Sequence, residues 1–271
     1  MHRTRLITGV IGAIIVIALV GWGNLLLFWL LVSSATVLGL KEFYDLAKGG
    51  QLPSYPLPGI LMGWLLSLAP LLAIGIRKDL LILFAVTLAA WALFMFALFA
   101  KQPLPEAMTA LAVTMFGIMY VSWFFMHLTL LRGLPYGKQY VFYLLILIWV
   151  GDSGAYYAGK SLGKHPLSPI ISPKKTIEGA IGGTAATLLA SVIAKYTFLP
   201  HISLLHALTL GLLLAIVAQI GDLCESLLKR SVNVKDSGTL LPGHGGILDR
   251  VDGLIFAAPV LYYYAQVFLV A

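Results

Sequence analysis

Charged residues are scarce in this chain: Asp, Glu, Lys and Arg make up only 11% of its 271 residues, whereas 60% are hydrophobic. A soluble domain carries about 25% charged residues, because it needs polar groups to cover its surface. The composition therefore excludes an ordinary soluble domain. The single cysteine, Cys224, excludes a disulfide framework within the chain and a zinc site built from cysteines. Its apolar neighbours indicate a small buried hydrophobe.

Acidic residues are fewer than basic ones: the chain has 11 acidic and 18 basic residues, which gives a net charge of +7. A basic balance is typical of nucleic-acid binding, but the chain has no basic-aromatic groove and no recognised nucleic-acid motif. Attraction to anionic lipid headgroups explains the N-terminal arginines and the basic residues of 41–50, but not the basic residues beyond position 160, which are interleaved with acids and glycines. We predict the bilayer, and not a nucleic acid, as the partner of these charges.

Long apolar runs are what the chain has in abundance. A helix that spans a bilayer needs roughly 20 mostly apolar residues. We predict an all-α polytopic membrane protein with about nine transmembrane helices; the second segment is short and the fifth long, so eight or ten also fit. The first run resembles a signal peptide but lacks a small-residue cleavage site, and we expect a retained helix. The segments are 6–22, 25–40, 59–76, 79–98, 107–131, 141–159, 177–194, 204–224 and 253–270.

The basic residues predict the orientation, because cytosolic loops carry an excess of Lys and Arg. With nine spans and a cytosolic N-terminus, 13 of the 18 basic residues face the cytosol. The opposite orientation would invert that ratio, so we expect the C-terminus outside and a multi-pass protein of the inner (plasma) membrane. The residues left outside are Arg77, Lys78, Arg132, Lys138 and Lys195.

The acids divide the chain near residue 140. We predict one membrane domain over 1–271, with 1–140 mainly scaffold spans and 141–271 the catalytic half. In the first half the acids fall in loops or near predicted helix ends, where solvated or interfacial roles are expected; these are Glu42, Asp45, Asp79 and Glu106. Those of the second half lie toward predicted cytosolic ends; these are Asp152, Glu178, Asp222, Glu225, Asp236, Asp249 and Asp252.

One polar stretch, residues 226–252, concentrates the chemistry; it reads S-L-L-K-R-S-V-N-V-K-D-S-G-T-L-L-P-G-H-G-G-I-L-D-R-V-D. Helical spacing places Asp222, Ser226, Lys229 and, with a looser match, Glu225 on neighbouring parts of one helix face. The alternative is a set of cytosolic anchors neutralised by nearby acids. Acids at membrane depth are costly and usually functional, which favours a site.

Three carboxylates of this stretch can converge. Asp249 and Asp252 share a face at the start of the last span, and Asp222 ends the span before it. The carboxylates would repel one another unless cations lay between them. Oxygen ligands favour Mg²⁺, which also binds substrate phosphates; a second cation remains open.

A second polar run, I-S-P-K-K-T-I-E-G-A-I-G-G over 171–183, precedes another span. Ser172 or Thr176 is suited to cap that helix. Lys174 and Lys175 stand just before its N-terminus, where free N–H groups attract anions. The run is compatible with two roles to an equal degree. It could bind a triphosphate, or it could be an ordinary basic loop followed by glycines that let two helices pack closely.

A third candidate is Gly151-Asp152-Ser153-Gly154. An acid among small residues near the inner end of a span is a ligand candidate or a satisfied helix-packing acid. Among the histidines, His127 stands in an apolar span, where helix packing is expected.

The 226–252 stretch resembles the signature of phosphatidate cytidylyltransferases, also called CDP-diacylglycerol synthases. The run S-P-K-K-T-x-E-G at 172–179 is also similar to that family, whereas the N-terminal half agrees only in hydropathy. The matching signature positions are Ser226, Lys229, Arg230, Lys235, Asp236, Gly238, His244, Gly245, Gly246, Asp249, Arg250 and Asp252.

The resemblance implies a Mg²⁺-dependent reaction in which phosphatidate and CTP give CDP-diacylglycerol and pyrophosphate at the cytosolic membrane face. We expect Asp249, Lys229, Arg230 and Asp222 to be catalytic. The expected metal ligands are Asp222, Asp249 and Asp252. The expected substrate-binding residues are Lys174, Lys175, Ser226, Lys235, Asp236, His244, Gly245, Gly246 and Arg250. The sequence leaves the oligomeric state open between a monomer and a homodimer.

Two other classes compete with this interpretation. A transporter would place polar residues at mid-bilayer in both halves, whereas this chain concentrates them at one face of one half. A CDP-alcohol phosphatidyltransferase would carry D-G-x-x-A-R, but Leu254, Ile255 and Phe256 follow Asp252-Gly253.

Overall fold

A computed structural model describes residues 2–72, 78–101, 103–240 and 245–270, and side chains from residue 9 onward except those of 78 and 79. The helices are α1 (His2–Gly21), α2 (Leu25–Gly49), α3 (Pro56–Leu72), α4 (Lys78–Phe99), α5 (Leu104–Gly117), α6 (Phe124–Arg132), α7 (Gly137–Leu162), α8 (Ile177–Thr197), α9 (Leu204–Ser231) and α10 (Leu248–Phe268). A π-helical segment, Ile118–Trp123, joins α5 to α6, and two strands, β1 (Pro166–Ser168) and β2 (Ser172–Thr176), pair antiparallel between α7 and α8.

Seven helical stretches of the described chain are long and apolar enough to cross a membrane, and Gly9–Gly21 and Pro56–Leu72 are shorter apolar helices. Together these stretches overlie the described parts of the nine apolar segments predicted from sequence. The chain is therefore a helical multi-pass membrane protein, as predicted, with one small sheet added. The exact number of spans and the side of each terminus stay predictions. His244 and Arg77 lie outside the described residues, as do the side chains of Arg3, Arg5, Lys78 and Asp79.

The chain forms two compact units. The first contains Met1–Leu130 and Ser231–Arg250, and the second contains Leu131–Arg230 and Val251–Ala271. Most of the polar 226–252 stretch thus packs with the N-terminal spans. The division into a scaffold half and a catalytic half at residue 140 stays a prediction.

Side chains of α2 hold the first unit together. Asn24 caps the helix by accepting a hydrogen bond from the Leu27 N–H at 2.9 Å. The indole of Trp29 donates to the Ser67 carbonyl of α3 at 2.7 Å, and the hydroxyl of Tyr44 donates to the Thr114 carbonyl of α5 at 2.9 Å. Lipid offers no hydrogen-bond partners, so buried polar side chains must find partners within the protein. The bonds of Trp29 and Tyr44 do this and fasten α2 to α3 and α5.

The second unit is built on a close contact between α7 and α8. A Cβ added at Gly154 would lie 3.1 Å from the Gly182 carbonyl oxygen, and one added at Gly183 would lie 3.0 Å from the Gly151 carbonyl oxygen. Glycines let two helix backbones approach closely in a membrane. The packing role that the sequence offered for Gly182 and Gly183 is therefore confirmed.

Candidate active site

Three carboxylates of the second unit converge: one oxygen from each of Asp222, Glu225 and Asp252 lies within 4.8 Å of the other two. Asp222 and Glu225 are one helical turn apart on α9, and Asp252 stands in the first turns of α10. Glu225 is buried and the two aspartates are half-buried. Like charges this close favour a cation between them, and a set of oxygen donors suits Mg²⁺.

Two lysines are paired with this cluster. Lys229 Nζ lies 2.5 Å from Glu225 Oε2, and both side chains are nearly inaccessible. Lys175 Nζ, from β2, lies 2.5 Å from Asp222 Oδ2. The cluster therefore combines carboxylates with ammonium groups, which is the inventory needed to hold a cation and phosphate oxygens together.

Glu225 is the member of the cluster that the predicted metal set left out. The predicted set contained Asp222, Asp249 and Asp252, and the structure brings Asp222 and Asp252 together with Glu225. Glu225 stands three residues after Asp222 and four before Lys229, so helical spacing already placed it near both. Its i, i+4 relation to Lys229 was the signal that could have included it.

The β1–β2 hairpin, which delivers Lys175 to Asp222, is fixed at both ends. At its base, Glu178 accepts hydrogen bonds from the backbone N–H groups of Lys164 at 3.0 Å and His165 at 3.3 Å. The ring of His165 contacts the same carboxylate at 2.6 Å. Near the turn, Arg230 Nε donates to the Ile171 carbonyl at 3.3 Å. These contacts hold the strand that carries Lys175.

Helix α8 begins directly after the hairpin with a side-chain cap. The Thr176 hydroxyl accepts a hydrogen bond from the Gly179 N–H at 3.1 Å, which satisfies one of the free donors of the first turn. Of the two capping residues that the sequence allowed, Thr176 is confirmed. Lys174, one position before Lys175, is exposed on β2.

In the first unit, Asp249 contacts Ser237 and Gly246, and the described pair Gly245 and Gly246 is called the glycine-rich turn below. Its Oδ2 accepts hydrogen bonds from the Ser237 N–H at 2.9 Å, the Ser237 hydroxyl at 3.0 Å and the Gly246 N–H at 2.8 Å. Gly245 has a φ of +81°, a conformation that L side chains rarely adopt. The hydrogen bonds explain why an aspartate suits position 249, and the positive φ explains why a glycine suits position 245. The role of Asp249 as a metal ligand stays a prediction.

Glu42 of α2 reaches the same turn, which the sequence did not suggest. Its side chain was expected to have a solvated or interfacial role near a helix end, and that expectation is wrong, because Glu42 is 6% exposed and α2 continues to Gly49. Its carboxylate accepts hydrogen bonds from Ser237, Ile247 and Leu248. No local pattern could reveal this contact, because the partners are about two hundred residues apart in sequence.

The other predicted site residues occupy varied surroundings. Ser226 is buried beside Glu225 on α9, whereas Lys235, Asp236 and Arg250 are exposed. Among the histidines, His127 of α6 is fully buried, with Nδ1 2.7 Å from the carbonyl oxygen of Trp123 in the π-helical segment just before α6. The helix-packing role predicted for His127 is confirmed.

Comparison with known proteins supports a single family. The cytidylyltransferase family profile matches residues 3–268, so the chain belongs to that family and is a nucleotidyltransferase. It is 36% identical over 274 residues to the phosphatidate cytidylyltransferase of Bacillus subtilis (strain 168), covering 98% of each chain.

Two further relatives match a shorter part of the chain. The phosphatidate cytidylyltransferase of Brucella suis biovar 1 (strain 1330) is 45% identical over 159 residues, 56% of each chain. That of Staphylococcus aureus (strain COL) is 46% identical over 125 residues, which is 46% of this chain and 48% of the relative. The resemblance drawn from the signature residues is confirmed.

Proposed function

We propose that the chain is a CTP:phosphatidate cytidylyltransferase, which makes CDP-diacylglycerol and pyrophosphate from phosphatidate and CTP. The observation that carries the proposal is the cluster of Asp222, Glu225 and Asp252 with its two paired lysines. The names of the relatives supply the substrates. A multi-pass membrane fold suits a reaction in which one substrate is a lipid.

The reaction joins two polyanions. An oxygen of the phosphatidate phosphate attacks the α-phosphorus of CTP, and the bond from that phosphorus to the oxygen bridging the β-phosphate breaks. Pyrophosphate leaves with the bonding electrons. The attacking monoester is already largely ionised near neutral pH, so a strong general base is not required. Positioning and charge neutralisation therefore account for most of the catalysis.

Asp222, Glu225 and Asp252 are proposed to hold Mg²⁺, because one oxygen from each lies within 4.8 Å of the other two and carboxylate oxygens are ligands that suit Mg²⁺. Mg²⁺ bound there would bind phosphate oxygens and neutralise the charge that develops on the leaving pyrophosphate. Asp249 is assigned to holding the glycine-rich turn, since one of its oxygens already accepts three hydrogen bonds.

Lys175 and Lys229 are proposed to bind phosphate oxygens of the substrates. Both stand at the cluster, and an ammonium group is a strong phosphate ligand because it carries a compact charge and three donors. Arg230 holds the hairpin that carries Lys175 and is also proposed to bind a substrate phosphate. The remaining proposed phosphate-binding residues are Lys174, Ser226, Lys235, Asp236, His244, Gly245, Gly246 and Arg250.

The site is proposed to face the cytosol at the inner membrane. This placement follows from the excess of basic residues in the loops that hold Lys175, Arg230 and Lys235. There CTP approaches from water and phosphatidate from the bilayer at headgroup level. The proposal keeps the N-terminus in the cytosol and the C-terminus outside.

Incubation of the purified, solubilised protein with phosphatidate, labelled CTP and Mg²⁺ tests the proposal. We expect a labelled lipid that co-migrates with CDP-diacylglycerol, together with an equal amount of pyrophosphate. Asp252→Asn should abolish both products, whereas Asp45→Asn, an exposed acid of α2, should retain them. Absence of labelled lipid from wild-type protein in several detergents and in vesicles would contradict the proposal.

A further inference from the structure

Glu42 is a buried acid that does not belong to the cluster of Asp222, Glu225 and Asp252, so that cluster does not explain why it is buried. It belongs to α2 in the first unit and is 6% exposed. Burying a carboxylate costs free energy unless hydrogen bonds compensate it. Its contacts therefore indicate what the residue does.

Both carboxylate oxygens of Glu42 accept hydrogen bonds from the segment 237–248. Oε1 accepts from the Ile247 N–H at 2.8 Å. Oε2 accepts from the Leu248 N–H at 3.0 Å and from the Ser237 hydroxyl at 3.1 Å. The segment is thus fastened to α2 at its two ends by one side chain.

The two backbone donors belong to the start of α10. The first N–H groups of a helix have no partner within the helix, and a negative charge near them is favourable. Glu42 supplies both the acceptors and the charge for Ile247 and Leu248. The side chain therefore acts as a cap that comes from another helix.

Two glycines of the segment leave room for this carboxylate. A Cβ at Gly238 would lie 2.9 Å from Glu42 Oε1, and a Cβ at Gly246 would overlap both the Glu42 carboxylate and the Ser237 hydroxyl. Neither position can carry a side chain unless Glu42 moves. The glycines at 238 and 246 are thereby explained as space for Glu42.

Ser237 connects Glu42 to Asp249. Its hydroxyl lies 3.1 Å from Glu42 Oε2 and 3.0 Å from Asp249 Oδ2, and one hydroxyl proton serves both oxygens. Asp249 also accepts from the N–H groups of Ser237 and Gly246. Displacement of Glu42 would therefore be transmitted to Asp249 and to the glycine-rich turn.

We propose that Glu42 is a positioning residue for nucleotidyl transfer, which holds Ser237, Ile247 and Leu248 and, through them, the neighbouring described residues proposed to bind phosphate. The inference rests on the proposed function for the role of those residues. Glu42 touches no substrate in this scheme. Its effect is exerted through the turn, where a displacement of about 1 Å is enough to cost on the order of 100-fold in rate.

Glu42→Gln is the sharpest test. Each carboxylate oxygen accepts from a backbone N–H, so in either orientation the glutamine amide nitrogen faces a donor it cannot accept from. We expect kcat for CDP-diacylglycerol formation to fall by about 10- to 100-fold. The matched control is Asp45→Asn on the same helix, an exposed acid paired with Lys41, whose kcat should stay within about twofold of wild type.

Hydrogen exchange of the solubilised protein gives a readout besides activity. The amides of Ile247 and Leu248 should exchange faster in Glu42→Gln than in wild type and in Asp45→Asn, while the amides of α7 and α8 keep their protection. Kinetics are normalised to the monodisperse fraction from size exclusion. A kcat within twofold of wild type, or unchanged exchange at both amides, overturns the proposal.

Ser237→Ala keeps the proposal testable where Glu42→Gln does not fold. It removes only the shared hydroxyl and keeps both backbone donors to Glu42. We expect kcat to fall by about three- to tenfold, and unchanged kcat and KM would overturn the proposal. Failure of wild-type protein to make CDP-diacylglycerol counts against the proposed function instead, since the exchange measurement judges the Glu42 contacts independently of the substrate.

Discussion

Glu225 and Lys229 form a buried ion pair one helical turn apart on α9, with Oε2 and Nζ separated by 2.5 Å. Breaking such a pair leaves an uncompensated charge, which is more costly than the pair itself. The same glutamate shares the cluster with Asp222 and Asp252. The pair therefore couples a proposed phosphate-binding cation to the proposed metal ligands.

Glu225→Gln tests which carboxylates hold the metal. We expect the Mg²⁺ concentration for half-maximal activity to rise by about tenfold or more, because one of three clustered acidic ligands is neutralised. A Mg²⁺ titration of CDP-diacylglycerol formation measures it.

Asp249→Asn is the comparison for this titration. Its carboxylate holds the glycine-rich turn, so we expect lower kcat, normal membrane insertion and a Mg²⁺ midpoint close to that of wild type. A midpoint that shifts with Asp249→Asn and not with Glu225→Gln would return the metal to the set predicted from sequence.

Lys175→Gln tests the hairpin lysine. The ammonium group lies 2.5 Å from Asp222 and is only partly accessible, so its loss removes a cation from the cluster itself. We expect kcat/KM for CTP to fall by about tenfold or more. Lys164→Gln removes the same charge from an exposed position before the hairpin and should change kcat/KM by less than about twofold. Equal effects of the two substitutions would contradict a specific role of Lys175 and would indicate that CTP responds only to the overall positive charge of this region.

Gly246→Ala tests the space between α2 and the turn. The added methyl group would overlap Ser237 and Glu42, so we expect a loss of about 1–3 kcal/mol in stability and a large loss of activity. Gly12→Ala is the matched control, because a Cβ at Gly12 meets nothing within 4 Å. Thermal unfolding in one detergent measures both variants. A Gly246→Ala protein as stable and active as Gly12→Ala would contradict the observed contact.

Thr176→Ala tests the cap of α8. Removal of the hydroxyl that accepts from Gly179 should cost about 1 kcal/mol. Thr197→Ala, at the exposed end of the same helix, removes a hydroxyl that only bonds back to its own helix and should be nearly neutral. The difference between the two unfolding midpoints in one detergent gives the value of the cap. Identical midpoints would show that the cap contributes nothing measurable.

Much of the architecture could be predicted because lipid imposes long apolar helices. The nine apolar runs correspond to helical stretches, and residues 118–123 adopt a π-helix that apolar periodicity does not reveal. The hairpin also falls within what hydropathy shows only as a polar connection. Short strands between spans have too few residues to establish a period.

The sequence by itself determined the membrane class and the helical face that carries Asp222, Ser226 and Lys229, and it limited the cap of α8 to Ser172 or Thr176. These features depend on composition and on spacing over a few residues of the chain, which the sequence displays directly. Only the tertiary structure decided that Glu225 completes the acidic cluster, that Lys175 meets Asp222, and that Glu42 holds the segment before α10. The approach of Asp252 to Glu225, of Lys175 to Asp222 and of Glu42 to Ile247 joins residues far apart in sequence, and only the folded chain brings such groups within a few ångströms.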